Sequence, residues 1–305
     1  MVPIFPNFKK IELTDEKDIK KFTSEFLPYS DFNFISMWSW DIKGEMCFSQ
    51  LNGNLVVRFT DYINGDPFYS FLGNNKVNET AKTLIELSEK EGIRPVLELI
   101  SEESIKKIDD KKFKIEEDRT HFDYIFSTSQ LATFVGKKYK TKRNDINKLL
   151  TLYPDVVFKF ENSISPTLRE GIANLSQKWT VKKELNHEAD NLSFENEKKA
   201  LSKILQIESN NLLIFTCFLN NNLLGFEIDE ILSNRHSIAH FSKVDTSYNG
   251  LNDLLNMRLS QHLKNEGVEF CNWEQDLGIE NLKKSKMSYS PIKFFKKYKV
   301  SLISK

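Results

Sequence analysis

Three apolar segments in direct succession limit this chain to a mixed architecture. They read "NLLIFTCFL" (211–219), "NLLGFEIDEIL" (222–232) and "HSIAHFSKV" (236–244), and only short turns separate them. Connections this short join antiparallel strands, because a parallel pair needs a long crossover. A helical pattern from about 249 to 266 then ends at Gly267, where a helix C-cap belongs. The second half therefore predicts an antiparallel meander followed by helices.

The first half repeats this pattern in a looser form. A helical segment at 15–27 has Thr14 as its N-cap, and "LNGN" predicts a hairpin between strands at 45–50 and 54–60. Further predicted elements are helices at 77–91, 138–151, 166–180, 193–208 and 279–287, and strands at 94–100, 121–126, 155–161, 268–274 and 294–303. The sequence predicts an α+β fold whose pattern occurs twice, with an N-terminal domain at 1–130 and a C-terminal domain at 131–305.

The composition is that of a globular protein in a reducing compartment. Of the 305 residues, 40% are hydrophobic and 28% are charged, and the longest apolar run is far shorter than the roughly 20 residues of a membrane span. Three widely spaced cysteines fit no disulfide framework or zinc spacing, and the N-terminus does not resemble a secretory signal. We therefore predict a cytoplasmic protein without a transmembrane segment, which touches the inner face of the membrane peripherally at most.

The neutral net charge conceals two basic segments. Residues 137–148 carry six cations and one anion, and residues 282–299 carry seven lysines and no acid. With 43 basic and 43 acidic residues in total, the remainder carries a charge of −12. Either these segments are two separate solvated helix faces, or they meet in space and form one surface that attracts anions.

The stretch "FCNWEQDLGIENLKKSKMSYSP" (270–291) concentrates polar side chains at the end of a predicted strand. Alternation places Phe270, Asn272 and Glu274 on one face, with Asp276 following if the chain stays extended. Glu274 is a candidate base or ammonium-binding group, or else one half of a buried ion pair. Asn272 and Asp276 would support it, although Asp276 is equally suited to cap the next helix.

The two basic segments supply candidate anion-binding groups. On the helix after Gly278, Lys286 shares the inward stripe and Lys283 flanks it. On the 138–151 helix, Arg143 lies in the apolar stripe beside Lys142, with Asn147 one turn on. A guanidinium held on an inward face suits bidentate contact with a phosphate or carboxylate, and the alternative is a structural ion pair.

Other common kinds of site find no support in the sequence. His236 and His240 alternate on one strand, but neither they nor Cys217 have a metal-ligand spacing, so no metal site is predicted. There is no nucleophile elbow, no Walker A motif and no dinucleotide-binding glycine pattern.

Two blocks, "DYIFSTSQLATFVGKKYKTKRNDINKL" (123–149) and "NWEQDLGIENLKKSKMSYSP" (272–291), resemble the bacterial family that contains the C-terminal domain of phosphatidylglycerol lysyltransferases. "SYNGLNDLL" (247–255) is similar to the Asn-Gly-x-x-Asp-x-Leu run of the lipid-modifying relatives. The resemblance implies two tandem acetyltransferase-like (GNAT) domains and aminoacyl transfer from a charged tRNA to a lipid head group. It also makes Asn249 and Gly250 the candidate donor loop.

The resemblance disfavours a coenzyme A cofactor. An ordinary GNAT domain has a glycine-rich loop at this junction whose amides bind the pyrophosphate, and only Gly250 is present here. No other cofactor is implied, whereas tRNA and an anionic lipid head group are the expected partners. Three hypotheses stay open: an aminoacyltransferase acting on an amine or hydroxyl, a non-catalytic module that binds RNA or acidic head groups, and a coenzyme A-dependent acetyltransferase.

Overall fold

The computed structural model describes residues 1–161, 163–185, 191–207 and 211–303. In the first half the elements are β1 (Lys9–Lys10), α1 (Glu16–Thr23), α2 (Phe34–Trp40), β2 (Cys47–Leu51), β3 (Asn54–Thr60), β4 (Pro67–Leu72), α3 (Val77–Lys90), β5 (Leu97–Ser101), α4 (Glu102–Ile105), β6 (Phe113–Glu117), β7 (Asp123–Ser127) and α5 (Thr128–Leu131).

In the second half they are α6 (Lys140–Leu152), β8 (Val157–Phe160), α7 (Pro166–Leu185), α8 (Asn191–Ile204), β9 (Leu212–Leu219), β10 (Asn222–Ile231), β11 (His236–Val244), α9 (Leu251–Asn265), β12 (Phe270–Asn272), α10 (Glu280–Ser288), β13 (Lys293–Phe295) and β14 (Lys297–Leu302). Among the described helices, none combines the length and the apolar character needed to cross a bilayer.

The strands form three sheets. A four-stranded sheet has the order β1-β2-β3-β4, and a seven-stranded sheet has the order β13-β7-β12-β11-β10-β9-β8. The third sheet has the order β5-β14-β6. All recorded pairings between these strands are antiparallel except β11 with β12, which are parallel. The predicted α+β class with an antiparallel meander is confirmed.

The two halves exchange strands. β7 precedes residue 130, yet it lies between β12 and β13 in the seven-stranded sheet. β14 comes from the end of the chain and lies between β5 and β6. The prediction of one continuous strand at 294–303 is therefore wrong, because the chain leaves one sheet after Phe295 and enters another at Lys297. Strands β4 and β6 were not predicted.

One continuous core joins the halves. It contains Leu55 and Phe59 of β3, Ile35 of α2, and Phe226 and Ile228 of β10. Two separate clusters of buried residues include the buried faces of α3 and of α9. On α9 the buried residues Leu251, Leu254, Leu255, Leu259 and Leu263 follow the period of a helix face. Side chains from α1 and α2 are thereby packed against the strands that carry the site.

Candidate active site

A gap in the seven-stranded sheet opens between β11 and β12. The two strands pair only from His236 to Ile238, opposite Phe270 to Asn272. β11 then continues to Val244, whereas β12 ends and the chain turns away. Beyond this short parallel pairing the strands separate, and polar side chains from both line the space between them.

His240 is placed in this gap by a β-bulge. In the pairing of β10 with β11, Ile228 lies opposite Phe241 and Asp229 lies opposite Ala239, so His240 is the extra residue. Bulges re-aim a side chain and often occur beside active sites. The His240 ring is almost completely buried. Its Nδ1 lies 3.4 Å from Oε1 of Glu274 and 3.3 Å from the hydroxyl oxygen of Ser36 on α2.

Glu274 reaches the gap by a turn rather than by strand alternation. Its φ is +54°, in the left-handed region, so the prediction that it continues the face of Phe270 is wrong. The strand ends at Asn272 because the Asn272 side-chain oxygen accepts the backbone N–H of Glu274 at 2.8 Å. The Glu274 carboxylate accepts the Ser36 hydroxyl at 3.4 Å and retains 21% side-chain exposure. It is the accessible member of the cluster.

A second carboxylate, Glu230, lies on the other side of His240. Its Oε2 is 3.8 Å from His240 Nε2 and accepts the Asn33 amide at 2.5 Å, while its Oε1 accepts Lys20 at 3.0 Å. Burial lowers the pKa of His240, but the carboxylates of Glu230 and Glu274 outweigh it and raise the pKa to about 9. At neutral pH the site therefore holds an imidazolium between two carboxylates.

Asn272 and Asp276 are fully engaged in structural contacts. Asn272 donates to the Pro28 carbonyl at 2.9 Å and to Asp123 at 3.2 Å. Asp276 accepts the Tyr124 hydroxyl at 2.5 Å and Arg119 at 3.2 Å. Its other oxygen accepts the Gly278 N–H at 2.8 Å, two residues before α10 begins, so it closes the preceding turn and does not cap the helix.

Lys286 points inward from α10, as predicted from its stripe, but it donates to the backbone carbonyls of Trp273 and Gln275. These bonds bracket Glu274 and hold its turn. Burial lowers the pKa of Lys286 to about 8, against the attraction of Glu274, Asp123 and Asp276. Lys283 lies on the exposed side of the same helix.

A fully buried ion cluster fixes the turn from beneath. The ammonium of Lys297 contacts Asp31 and donates to Asp123 at 2.7 Å, and all three side chains are inaccessible to solvent. Gln275 donates to Asp31, and the Ser30 hydroxyl donates to Asp123 at 2.6 Å. Burial and the neighbouring Asp31 raise the pKa of Asp123, against the effect of Lys297. The cluster therefore joins the segment before α2 and strand β7, both from the first half, to β14 and to the turn that contains Glu274.

The candidate anion-binding residues on α6 contact groups other than Glu274. Lys142 donates to Asp253 at 2.9 Å and lies 3.4 Å from the centre of the Tyr289 ring. Arg143 donates to the carbonyls of Phe134 and Gly136, and within the described residues it has no carboxylate partner, so the alternative of a structural ion pair is not observed there. Asn147 is exposed on the same helix.

The two basic segments do meet. Tyr139, just before α6, donates its hydroxyl at 2.7 Å to the carbonyl of Tyr289, just after α10. Some of the charge is neutralised locally, because Lys142 is paired with Asp253 and Lys284 with Glu280. The exposed lysines of the two basic segments with no ion pair to a described residue are Lys137, Lys138, Lys140, Lys148, Lys283 and Lys293.

The predicted donor loop packs against α6. Asn249 is exposed, and Gly250 precedes α9 with a φ of +84°. A Cβ atom on Gly250 would lie 2.7 Å from the carbonyl carbon and oxygen of Asp145, which is closer than real Cβ contacts. Glycine is required here because α6 lies directly against the N-terminus of α9. Within the described ranges, no group of three or more His, Cys, Asp or Glu side chains has the arrangement of a metal site.

Sequence reasoning missed Ser36, Asn33 and Glu230, and it considered His240 only as a metal ligand. One signal was available: "GFEIDEI" in β10 places three carboxylates in an otherwise apolar strand, and all three are buried. Buried carboxylates need partners, which indicates a polar cluster nearby. The partners themselves come from distant parts of the chain.

Comparison with known proteins gives one match to a family and several to solved structures. The sequence profile described as "Phosphatidylglycerol lysyltransferase, C-terminal" matches residues 25–301. A conserved protein of unknown function from Bacteroides thetaiotaomicron superposes with a TM-score of 0.83 at 27% identity, covering 99% of this chain and 100% of that one. No curated protein gives a significant match.

Two more distant structures share the fold. L-PGS from Bacillus licheniformis superposes with a TM-score of 0.63 at 13% identity, over 96% of this chain and 92% of that one. The C-terminal domain of a candidate lysylphosphatidylglycerol synthetase from Agrobacterium fabrum gives 0.60 at 12% identity, over 93% and 91%. The predicted α+β fold is confirmed, and these two structures share it. The chain belongs to the family of phosphatidylglycerol lysyltransferase C-terminal domains.

Proposed function

We propose that this protein is an acyltransferase that moves an aminoacyl group from a charged tRNA to an amine or hydroxyl acceptor. The observation that carries the proposal is the Glu274–His240 pair in the gap between β11 and β12. Such a pair offers a partly exposed carboxylate, positioned by a buried imidazolium, where two strands of a sheet separate. Membership of the family supports acyl transfer in general, and the aminoacyl donor is the finer part of the proposal.

The reaction requires orientation and one proton acceptor. The acceptor oxygen or nitrogen attacks the carbonyl carbon of the aminoacyl ester, and Glu274 takes the proton that the acceptor loses. The bond to the terminal ribose oxygen of the tRNA then breaks, and this leaving oxygen receives the proton that Glu274 took from the acceptor. His240 and Ser36 would hold the Glu274 carboxylate in place through their contacts of 3.4 Å each.

The surface around α6 and α10 supports a polyanionic donor. Its exposed lysines extend over both basic segments, which meet at Tyr289. Lysines of this kind bind phosphates through counterion release, so binding weakens steeply as salt rises. Coenzyme A is less compatible, because α6 packs against Gly250 where an ordinary GNAT domain would bind the pyrophosphate.

Replacing Glu274 with Gln tests the catalytic role. We expect Glu274→Gln to reduce aminoacyl transfer by about 10²- to 10⁴-fold, the usual contribution of a general base, with a nearly unchanged melting temperature. Glu266→Gln, which changes an exposed carboxylate after α9, is the matched control and should transfer normally. A large loss of stability in Glu274→Gln, with transfer retained, would instead assign Glu274 to a structural ion pair.

Binding measurements test the donor. Filter binding of total charged tRNA at low and high salt should give salt-sensitive binding, and a parallel titration should detect no coenzyme A binding. Lys138→Glu combined with Lys283→Glu should weaken tRNA binding, whereas the same change at Lys106 and Lys111, exposed in the first half, should not. Coenzyme A binding alone would make this an acetyltransferase. Salt-sensitive RNA binding without turnover would make it a binding module.

A further inference from the structure

Strand β6 lies at the edge of its sheet. It pairs with β14 on one side, and no described strand pairs with its other side. Asp118, just after β6, donates its N–H to the carbonyl of Lys297. The carbonyl of Lys112, just before β6, accepts the N–H of Ile303. Because backbone groups alternate between the two sides of a strand, the N–H and carbonyl of Ile115 are directed away from β14, where a further strand could pair with them.

The order of charges along β6 suits pairing with a second copy of the same strand. In "KFKIEED" (112–118) the cations precede Ile115 and the anions follow it. If two copies pair antiparallel with Ile115 opposite Ile115, Lys114 of each copy lies opposite Glu116 of the other. Side chains directly opposite one another are about 5 Å apart, and opposite charges at that distance stabilise the pair. The twofold symmetry makes this contact twice.

Neighbouring alignments place like charges together. A shift of two residues brings Lys114 opposite Lys114 in one direction and Glu116 opposite Glu116 in the other, and a parallel alignment in register does both. A shift of one residue turns the apolar face of one strand toward the charged face of the other. Charged residues on an edge strand usually prevent pairing. Here the order of the charges instead favours the alignment centred on Ile115.

Both faces of the sheet are compatible with this alignment. On the exposed face Lys299 of β14 lies opposite Glu116, so Lys114 of the second copy would give Glu116 a cation on each side. The Lys114 and Glu116 side chains are 61% and 56% exposed. On the other face Ile115 is partly buried against the cluster that contains Phe113. Contact between the two Ile115 side chains would join the apolar clusters of the two copies.

The pairing is short, which sets its strength. The Phe113 N–H already donates to the carbonyl of Asp109 at 3.1 Å. The remaining backbone bonds are those between the two Ile115 residues, and those from each Glu117 N–H to the Phe113 carbonyl of the other copy. A strand of five residues buries less surface than the roughly 1,200–2,000 Å² of a stable interface. The association is therefore weak and depends on protein concentration.

We propose that this protein forms a symmetric homodimer by antiparallel pairing of β6 with β6 of a second copy, centred on Ile115. Two three-stranded sheets thereby become one continuous sheet. The same surface is used by both copies, so the assembly closes at two and does not grow further through this edge. The inference does not depend on the proposed function, because β6 carries none of the residues assigned to aminoacyl transfer.

Sedimentation equilibrium up to a concentration of about 0.5 mM measures the association, since an interface of this size binds weakly. We expect a monomer–dimer equilibrium in the wild type. Lys114→Glu and Glu116→Lys each place like charges opposite one another and should weaken dimerisation roughly tenfold or more. Lys82→Glu changes an exposed lysine that pairs with Glu86 on α3, and this matched control should dimerise like the wild type.

A mixture of the two single variants tests the alignment itself. Lys114→Glu mixed with Glu116→Lys restores opposite charges at both contacts and should form mixed dimers, and the double variant should dimerise with itself. Both side chains are exposed, so each variant should keep the melting temperature of the wild type. A wild type that stays monomeric, or a dimer that the single substitutions leave unchanged, would overturn the proposal. Loss of the dimer that neither the mixture nor the double variant restores would also overturn it, because β6 would then bind a different partner surface.

Discussion

The clearest physical test of this structure is the pH dependence of stability in Asp229→Asn. Asp229 lies on β10, is buried, and its Oδ1 has no hydrogen-bond partner in the described residues. Burial raises its pKa from 3.8 to about 7, with His240 and Ser237 opposing the shift and Glu274 adding to it. The folded protein therefore keeps a proton on Asp229 at pH values at which the unfolded chain has already released it.

The magnitude follows from this shift. Because the folded pKa is the higher one, the favourable contribution is complete below pH 3.8 and is lost as the pH rises to about 7. At about 1.4 kcal/mol per pKa unit, the total is roughly 4 kcal/mol, of which roughly 3 kcal/mol falls between pH 5 and pH 8. Asparagine has the same shape and cannot ionise, so Asp229→Asn should remove this dependence.

Urea denaturation at pH 5 and pH 8 measures the effect. We expect Asp229→Asn to be more stable than wild type by about 1 kcal/mol at pH 5 and by about 4 kcal/mol at pH 8, so that its advantage grows by about 3 kcal/mol over this range. Asp155→Asn, which changes an exposed carboxylate, should follow the wild type at both values. A difference between Asp229→Asn and wild type that is the same at pH 5 and pH 8 would refute the reasoning, because Asp229 would then be ionised throughout.

Two further substitutions probe the packing around the site. Lys297→Met leaves the carboxylates of Asp31 and Asp123 buried without their cation, and should lower the free energy of unfolding by about 3–5 kcal/mol. Lys299→Met removes the cation of a partly exposed pair and should cost about 1 kcal/mol or less. Similar losses of stability for the two variants in urea denaturation would contradict the buried cluster. Gly250→Ala places a Cβ against the Asp145 backbone at a φ of +84° and should lower the free energy of unfolding by roughly 1–3 kcal/mol. The loss should be smaller for Gly92→Ala, where φ is also positive but the space around the new Cβ is open. Equal losses of stability in thermal denaturation would mean that α6 does not approach α9 as described.

Most elements of this protein follow from local sequence, and several of the predictions that concern them are confirmed, although Thr14 is not the N-cap of α1, which is Asp15. The hairpin around Asn52 and Gly53 forms as predicted, with both residues at positive φ. The helices that end at Gly92 and Gly267 stop where those glycines adopt positive φ. Periodicity and turn residues act over a few neighbouring positions, so one sequence is enough to find them. The boundaries of the two domains stay a prediction, since strands cross between the halves.

The site was predictable in part. Glu274 was identified from a polar cluster at the end of an apolar strand, and the structure places it in the gap between β11 and β12. Its partners were not identified, because Ser36 and Glu230 belong to a helix and a strand that meet only after both halves have packed together. Lys142 and Arg143 were predicted as anion-binding groups, and their contacts are to Asp253 and to backbone carbonyls.

The sequence by itself determined the α+β class, the family and the order of most elements, since these depend on local periodicity and on short motifs. Only the tertiary structure decided the bulge that turns His240 toward Glu274, the exchange of β7 and β14 between sheets, and the burial of Lys297 between two aspartates. These features depend on strand register and on contacts between residues far apart in the chain, and the free energy that selects them comes from packing the whole molecule rather than from any one segment.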